Sequence, residues 1–126
     1  MKSLKALAHY LGDSQHQLDI LQNNPEQYPT FERQLKDIGL MPLTPVGIEI
    51  FQINMGKMCN QVCAHCHVDA GPDRKEIMTR DTMQQCLDVI AAHPSLTTVD
   101  LTGGAPEMNP EFRWFVTELK KLNRHV

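Results

Sequence analysis

Apolar positions in the first third of the chain recur at three- and four-residue intervals, the spacing of one helix face. Leu4, Leu7, Ala8 and Leu11 make the first such pattern, and Gly12-Asp13 closes it. Leu18 and Leu21 make a second, ending near Asn23-Asn24-Pro25. Thr30 is placed to cap a third helix, with Phe31, Leu35 and Ile38 on its apolar face and Gly39 at its end. Pro42 and Pro45 then keep the chain extended. Residues 1–45 are therefore expected to form a helical extension, a packing layer around the main fold.

Beyond residue 45 the period changes. Val46 to Ile53 is apolar at most positions, as in a parallel strand buried on both faces. A turn at Ala70-Gly71-Pro72-Asp73 leads to a helix predicted over Thr79–His93, with Met83, Cys86, Leu87, Ile90 and Ala91 on one face. Pro94-Ser95 ends it, and the β-branched run from Leu96 to Leu101 predicts a second strand that Gly103-Gly104 breaks. Asn109 and Pro110 cap and open a last helix with Phe112, Phe115, Val116, Leu119 and Leu122 along its buried stripe. Lys120, Lys121 and Arg124 suit the negative end of its dipole. The order predicts an α/β domain over 46–126 made of two β/α units on a parallel sheet. Right-handed crossovers would bring both strand-to-helix loops to the carboxyl edge of that sheet, facing one crevice.

Composition narrows the field without choosing a function. With 41% hydrophobic and 21% charged residues the chain has the balance of a globular domain. A net charge of −3 offers no basic footprint for nucleic acid. No apolar run approaches the ~20 residues that a membrane-spanning helix needs. Met1-Lys2-Ser3-Leu4 opens an amphipathic stretch and not a signal peptide, so a reducing, cytoplasmic compartment is expected.

The chemistry is concentrated just after the first strand, in Cys59-Asn60-Gln61-Val62-Cys63-Ala64-His65-Cys66. This C-x3-C-x2-C spacing supplies three thiolates from one loop and no evident fourth. A [4Fe–4S] cubane ordinarily takes four cysteines, so three leave one iron open to a small molecule. A Cys3His zinc site completed by His65 or His67 is the competing reading, although zinc sites usually pair two knuckles and here there is one. Cys86, on the apolar face of a helix, reads as a core thiol. Trp114 reads as packing, and His9, His16, His93 and His125 as surface or capping residues. Asp69 and Asp73 beside the loop read as solvated acids.

These residues resemble the radical S-adenosylmethionine (SAM) superfamily. Its signature is C-x3-C-x-φ-C after the first strand of a partial (β/α)6 barrel, with His65 here at the φ position. Thr102-Gly103-Gly104-Ala105-Pro106-Glu107 is similar to the family's Gly-Gly-Glu-type loop, with the acid three residues beyond Gly104 and not directly after it. Gln52-Ile53-Asn54, Cys66-His67-Val68-Asp69-Ala70-Gly71-Pro72 and the string from Asp100 to Glu107 resemble the arsenosugar-biosynthesis radical SAM proteins, over about Phe31 to the end of the chain.

The resemblance implies that Cys59, Cys63 and Cys66 hold a [4Fe–4S] cluster and that Gly103, Gly104 and Glu107 contact SAM. It implies reductive cleavage of SAM to a 5′-deoxyadenosyl radical, used to form a carbon–arsenic bond on a methylated trivalent arsenical. An electron donor such as a flavodoxin or ferredoxin is implied as partner, and no further catalytic residue is assigned. A β/α unit takes about 30 residues or more, so residues 67–126 hold roughly two of six units and the chain reads as the N-terminal part of the barrel. The alternatives are a non-catalytic zinc or iron–sulfur module and an inactive truncated product. The Gly103-Gly104 loop, which a zinc module does not need, separates the first of these from the enzyme.

Overall fold

The computed structural model describes residues 2–22 and 29–126. Along the chain run α1 (Ser14–Gln22), α2 (Phe31–Asp37), β1 (Ile50–Asn54), α3 (Arg80–Ala92), β2 (Thr98–Thr102) and α4 (Phe112–Lys121). Short 3-10 turns stand at Tyr10–Gly12 and Pro106–Met108. β1 and β2 pair in parallel, from Ile50 opposite Thr98 to Asn54 opposite Thr102. The fold is mixed α/β on a two-stranded parallel sheet.

β1 is shorter than its apolar run predicts and is not buried on both faces. Val46, Ile48 and Ile50 are exposed, and pairing starts only at Ile50. Within the strand burial alternates: Ile53 is buried and Phe51 half-buried, while Ile50, Gln52 and Asn54 are exposed. The open face is polar, and on it the Gln52 Nε2 donates to Asp100 Oδ2 at 2.7 Å. On the other face Phe51, Ile53, Val99 and Leu101 pack against Met83, Leu87 and Ile90 of α3 and against Phe115 and Leu119 of α4. Both helices thus cover one side of the sheet. Each large apolar side chain buried there contributes roughly 1.5–3 kcal/mol.

The helix starts rest on specific caps. Thr79 accepts the Thr82 N–H at the start of α3. α4 begins at Phe112, two residues beyond the proline expected to open it, yet Asn109 still organises the turn. Its buried side chain accepts from Glu111 N–H at 2.9 Å and donates to the Met78 carbonyl at 2.9 Å, tying the entrances of the two helices together. Arg80 lies 3.9 Å from the centre of the Trp114 ring and pairs with Glu111 at 2.6 Å, so Trp114 is a packing residue. His93 ends α3, and His125 adds a parallel bridge to Thr98.

The first 45 residues depart further from expectation. Leu4–Ala8 form turns in place of an α-helix, and the predicted end at Asn23-Asn24-Pro25 lies outside the described residues. α2 does start at Thr30, whose side chain accepts the Arg33 N–H at 3.3 Å as the cap that precedes the first helical residue, and the helix gives way to Gly39 at φ +72°. Neither α1 nor α2 buries a residue, so these helices are not the packing layer that their stripes suggest. Contact with the main fold runs instead through Ser3, which is buried and bonded to Asp73, and through the Lys5 N–H on Asp69. Among the described residues no helix is long and apolar enough to cross a membrane.

Candidate metal centre

β1 delivers the chain straight into the cysteine loop, and the loop is closed at its neck. Lys57 N–H donates to the Glu76 carbonyl at 2.8 Å, Gly71 N–H to the Lys57 carbonyl at 3.0 Å, and Cys59 N–H to the Gly71 carbonyl at 3.2 Å. Residues 59–70 therefore form a compact loop with adjoining ends, the geometry of an Ω-loop. Inside it, Cys66 N–H donates to the Cys63 carbonyl at 3.1 Å.

Cys59, Cys63 and Cys66 are free thiols, each half-buried. Gln61 N–H points at the Cys59 sulfur at 3.4 Å, and Ala70 N–H at the Cys66 sulfur at 3.3 Å. His65 and His67 are exposed. Among the described residues no three His, Cys, Asp or Glu side chains are grouped closely enough to hold a metal ion as they stand. What fits a thiolate-ligated group is the donor set: three thiols on one closed loop, two of them already receiving N–H groups.

The Gly103-Gly104 loop lies against the neck of this one, the segment from Gly56 to Met58. Gly104 N–H donates to the Gly56 carbonyl at 2.9 Å, and Ala105 N–H to the Met58 carbonyl at 2.8 Å. A Cβ on Gly104 would stand 2.3 Å from the Met58 oxygen, and one on Gly103 (φ +129°) 2.6 Å from the Gly56 oxygen. Glycine is required at both positions because two backbones meet there. Glu107 is exposed and borders a groove with Leu101, Phe112 and Val116, on the helix side of the sheet. The two glycines reach the neck of the cysteine loop, at Gly56 and Met58, and the acid stands apart.

Asp73 is exposed, as expected, and Asp69 half-buried, but each is tied to partners that the sequence does not show. Asp73 accepts from the Ser3 N–H at 2.7 Å and the Ser3 hydroxyl at 3.0 Å, and these bonds, the backbone one first, hold its carboxyl below the usual range. Asp69 takes the Lys5 N–H at 3.3 Å and pairs with Arg74 at 2.6 Å. Arg74 is buried and also grips Glu76 through two nitrogens, at 2.6 and 3.1 Å, which holds the Glu76 carboxyl down at about 2. The one visible signal for this clasp is the charge run Asp73-Arg74-Lys75-Glu76 so soon after three cysteines. Cys86 sits half-buried on α3 against the core, where burial pushes its thiol up, as suits a packing residue.

No protein-family model, curated protein or solved structure matches the chain.

Proposed function

We propose that this chain is a radical SAM enzyme in which Cys59, Cys63 and Cys66 hold a [4Fe–4S] cluster and SAM binds where the cysteine loop meets the Gly103-Gly104 loop. One observation carries the reading: two loops with the residues of the two signatures are joined, backbone to backbone, beyond the carboxyl ends of two parallel strands. Ligands of parallel α/β sheets bind at that edge. In a partial (β/α)6 barrel β1 and β2 would be the first strands, α3 and α4 the outer helices, and the polar face with Gln52 and Asp100 would turn inward.

When bound, the cluster would supply one electron to the SAM sulfonium, whose C5′–S bond would break to methionine and the 5′-deoxyadenosyl radical that the arsenosugar resemblance directs to a methylated trivalent arsenical. The chain's own residues do the positioning. Three thiolates come from a loop closed at its neck, two of them receive N–H donors, and the glycine loop is locked against the first by Gly104 and Ala105. Glu107, exposed on the helix side of the sheet, stands apart from this SAM site, so the contact that the resemblance assigns to it falls to the two glycines. A flavodoxin or ferredoxin in the cytoplasm is the matching electron donor.

Anaerobic reconstitution with iron and sulfide tests this. The expected result is about four irons per chain, a reducible EPR signal that SAM perturbs, and 5′-deoxyadenosine on reduction. Stoichiometric zinc bound by four protein ligands, in protein purified without oxygen, overturns it and leaves a non-catalytic metal module.

A further inference from the structure

We propose that Arg74 is a positioning residue for the sulfur of Cys66, acting through the peptide unit between Asp69 and Ala70. The inference rests on reading the loop as a cluster site. Its core is geometric. A trans peptide is planar, with its carbonyl and N–H pointing in opposite directions. The carbonyl of this unit, on Asp69, accepts from Arg74 Nη1 at 3.2 Å, and its N–H, on Ala70, points at the Cys66 sulfur at 3.3 Å. Holding one end of the plane aims the other.

The grip is specific. Asp69 stands at φ +50°, a left-handed conformation that a non-glycine residue adopts only at some cost. The same Arg74 Nη1 takes the Asp69 carboxylate at 2.6 Å, and Asp69 N–H is bonded to the Cys66 carbonyl at 3.2 Å. Arg74 is itself fixed by its two bonds to Glu76, whose carbonyl closes the neck of the loop on Lys57. A lysine would keep the charge and lose the fork that serves both sides at once. Hydrogen bonds to cluster sulfurs are among the features that set a cluster's reduction potential, and a donor at sulfur favours the more electron-rich, reduced form. Arg74 thus makes the site easier to reduce than its three cysteines alone would.

The test is Arg74→Lys in the full chain, read in two ways. In the metal-free protein, hydrogen exchange at the Ala70 amide is expected to accelerate at least tenfold, with the amides of α3 and α4 unchanged. After reconstitution to the wild-type iron content, the midpoint potential from an EPR-monitored titration is expected to move to more negative values. An Ala70 amide that exchanges equally in both chains overturns the inference, as does a loaded variant with an unchanged or more positive potential. If the wild-type chain takes up no iron, the cluster reading fails, and Ala70 exchange alone still decides whether Arg74 positions the peptide.

Discussion

α2 and α4 carry apolar stripes of similar spacing, and they meet opposite fates. Phe31 at the start of α2 is 70% exposed, whereas Phe115 in α4 has no exposed surface. Both helices have their local signals in order, Thr30 and Gly39 for the first, Asn109 for the second. The difference is the surface on offer. α4 meets a sheet face of Phe51, Ile53, Val99 and Leu101 already shared with α3, while α1 and α2 meet no buried counterpart among the described residues. Capping fixes where a helix begins, and only a complementary face buries it.

The largest effect that would sharpen the contrast lies within the body itself, between its cysteines. Cys59→Ala, Cys63→Ala and Cys66→Ala are each expected to abolish cluster assembly, because the loop has no spare thiol. Cys86→Ala should keep the cluster and cost on the order of 1 kcal/mol in packing. Iron content after anaerobic reconstitution checks both, and loss of cluster in the Cys86 variant would mean that a fourth protein ligand exists.

Next in size is the contrast between the two phenylalanines. Phe115→Ala is expected to lose about 3–5 kcal/mol in urea unfolding, and Phe31→Ala to stay within about 0.5 kcal/mol. A Phe31 variant as damaged as the Phe115 one would break the comparison outright, by showing that α2 is packed in solution. A glycine pair repeats the test on the backbone. Gly104→Ala would push a methyl to 2.3 Å from the Met58 oxygen, for an expected loss of about 1–3 kcal/mol. Gly47→Ala, with nothing within 4 Å of the new Cβ, should change stability little.

Legibility followed the range of the interactions. The helices at 80–92 and 112–121, the second strand and the cap at Thr30 rest on neighbours a few residues apart, and local pattern found them; that Thr79 caps α3 and does not begin it came from the structure. β1 was overextended because Val46 and Ile48 are apolar without being paired; strand length is set by the partner, which joins only from Thr98. The three cysteines and two glycines could be picked out by spacing. That the glycines serve contact between the loops could not, since Gly104 meets Gly56 and Met58 far back in the chain. The clasp was hidden for the same reason: Ser3 and Asp73 are 70 positions apart, and a carboxylate in a turn looks solvated until its donor is seen.

That clasp also supplies the smallest and most local test, because residues 3–5 are where the N-terminal region does join the body. The Asp73 carboxyl is held below its ordinary range, first by the Ser3 N–H, so its contribution is complete above the unfolded carboxylate pKa and disappears as the pH falls through the lower folded value. Glu76 behaves alike, its tie to Arg74 weakening from about pH 4.5 down to about 2. Acid should therefore release the N-terminal segment while Phe115 and Ile90, which carry no charge, keep the core folded. The Ser3 amide proton shift, followed by NMR from pH 6 downward, is expected to titrate with a midpoint below the usual aspartate range. In Asp73→Asn that titration should vanish, with the amide shifts of α3 and α4 unmoved. A midpoint at the ordinary aspartate value would show that Ser3 does not hold Asp73 in solution, and would leave the Lys5 N–H on Asp69 to join the first residues to the body.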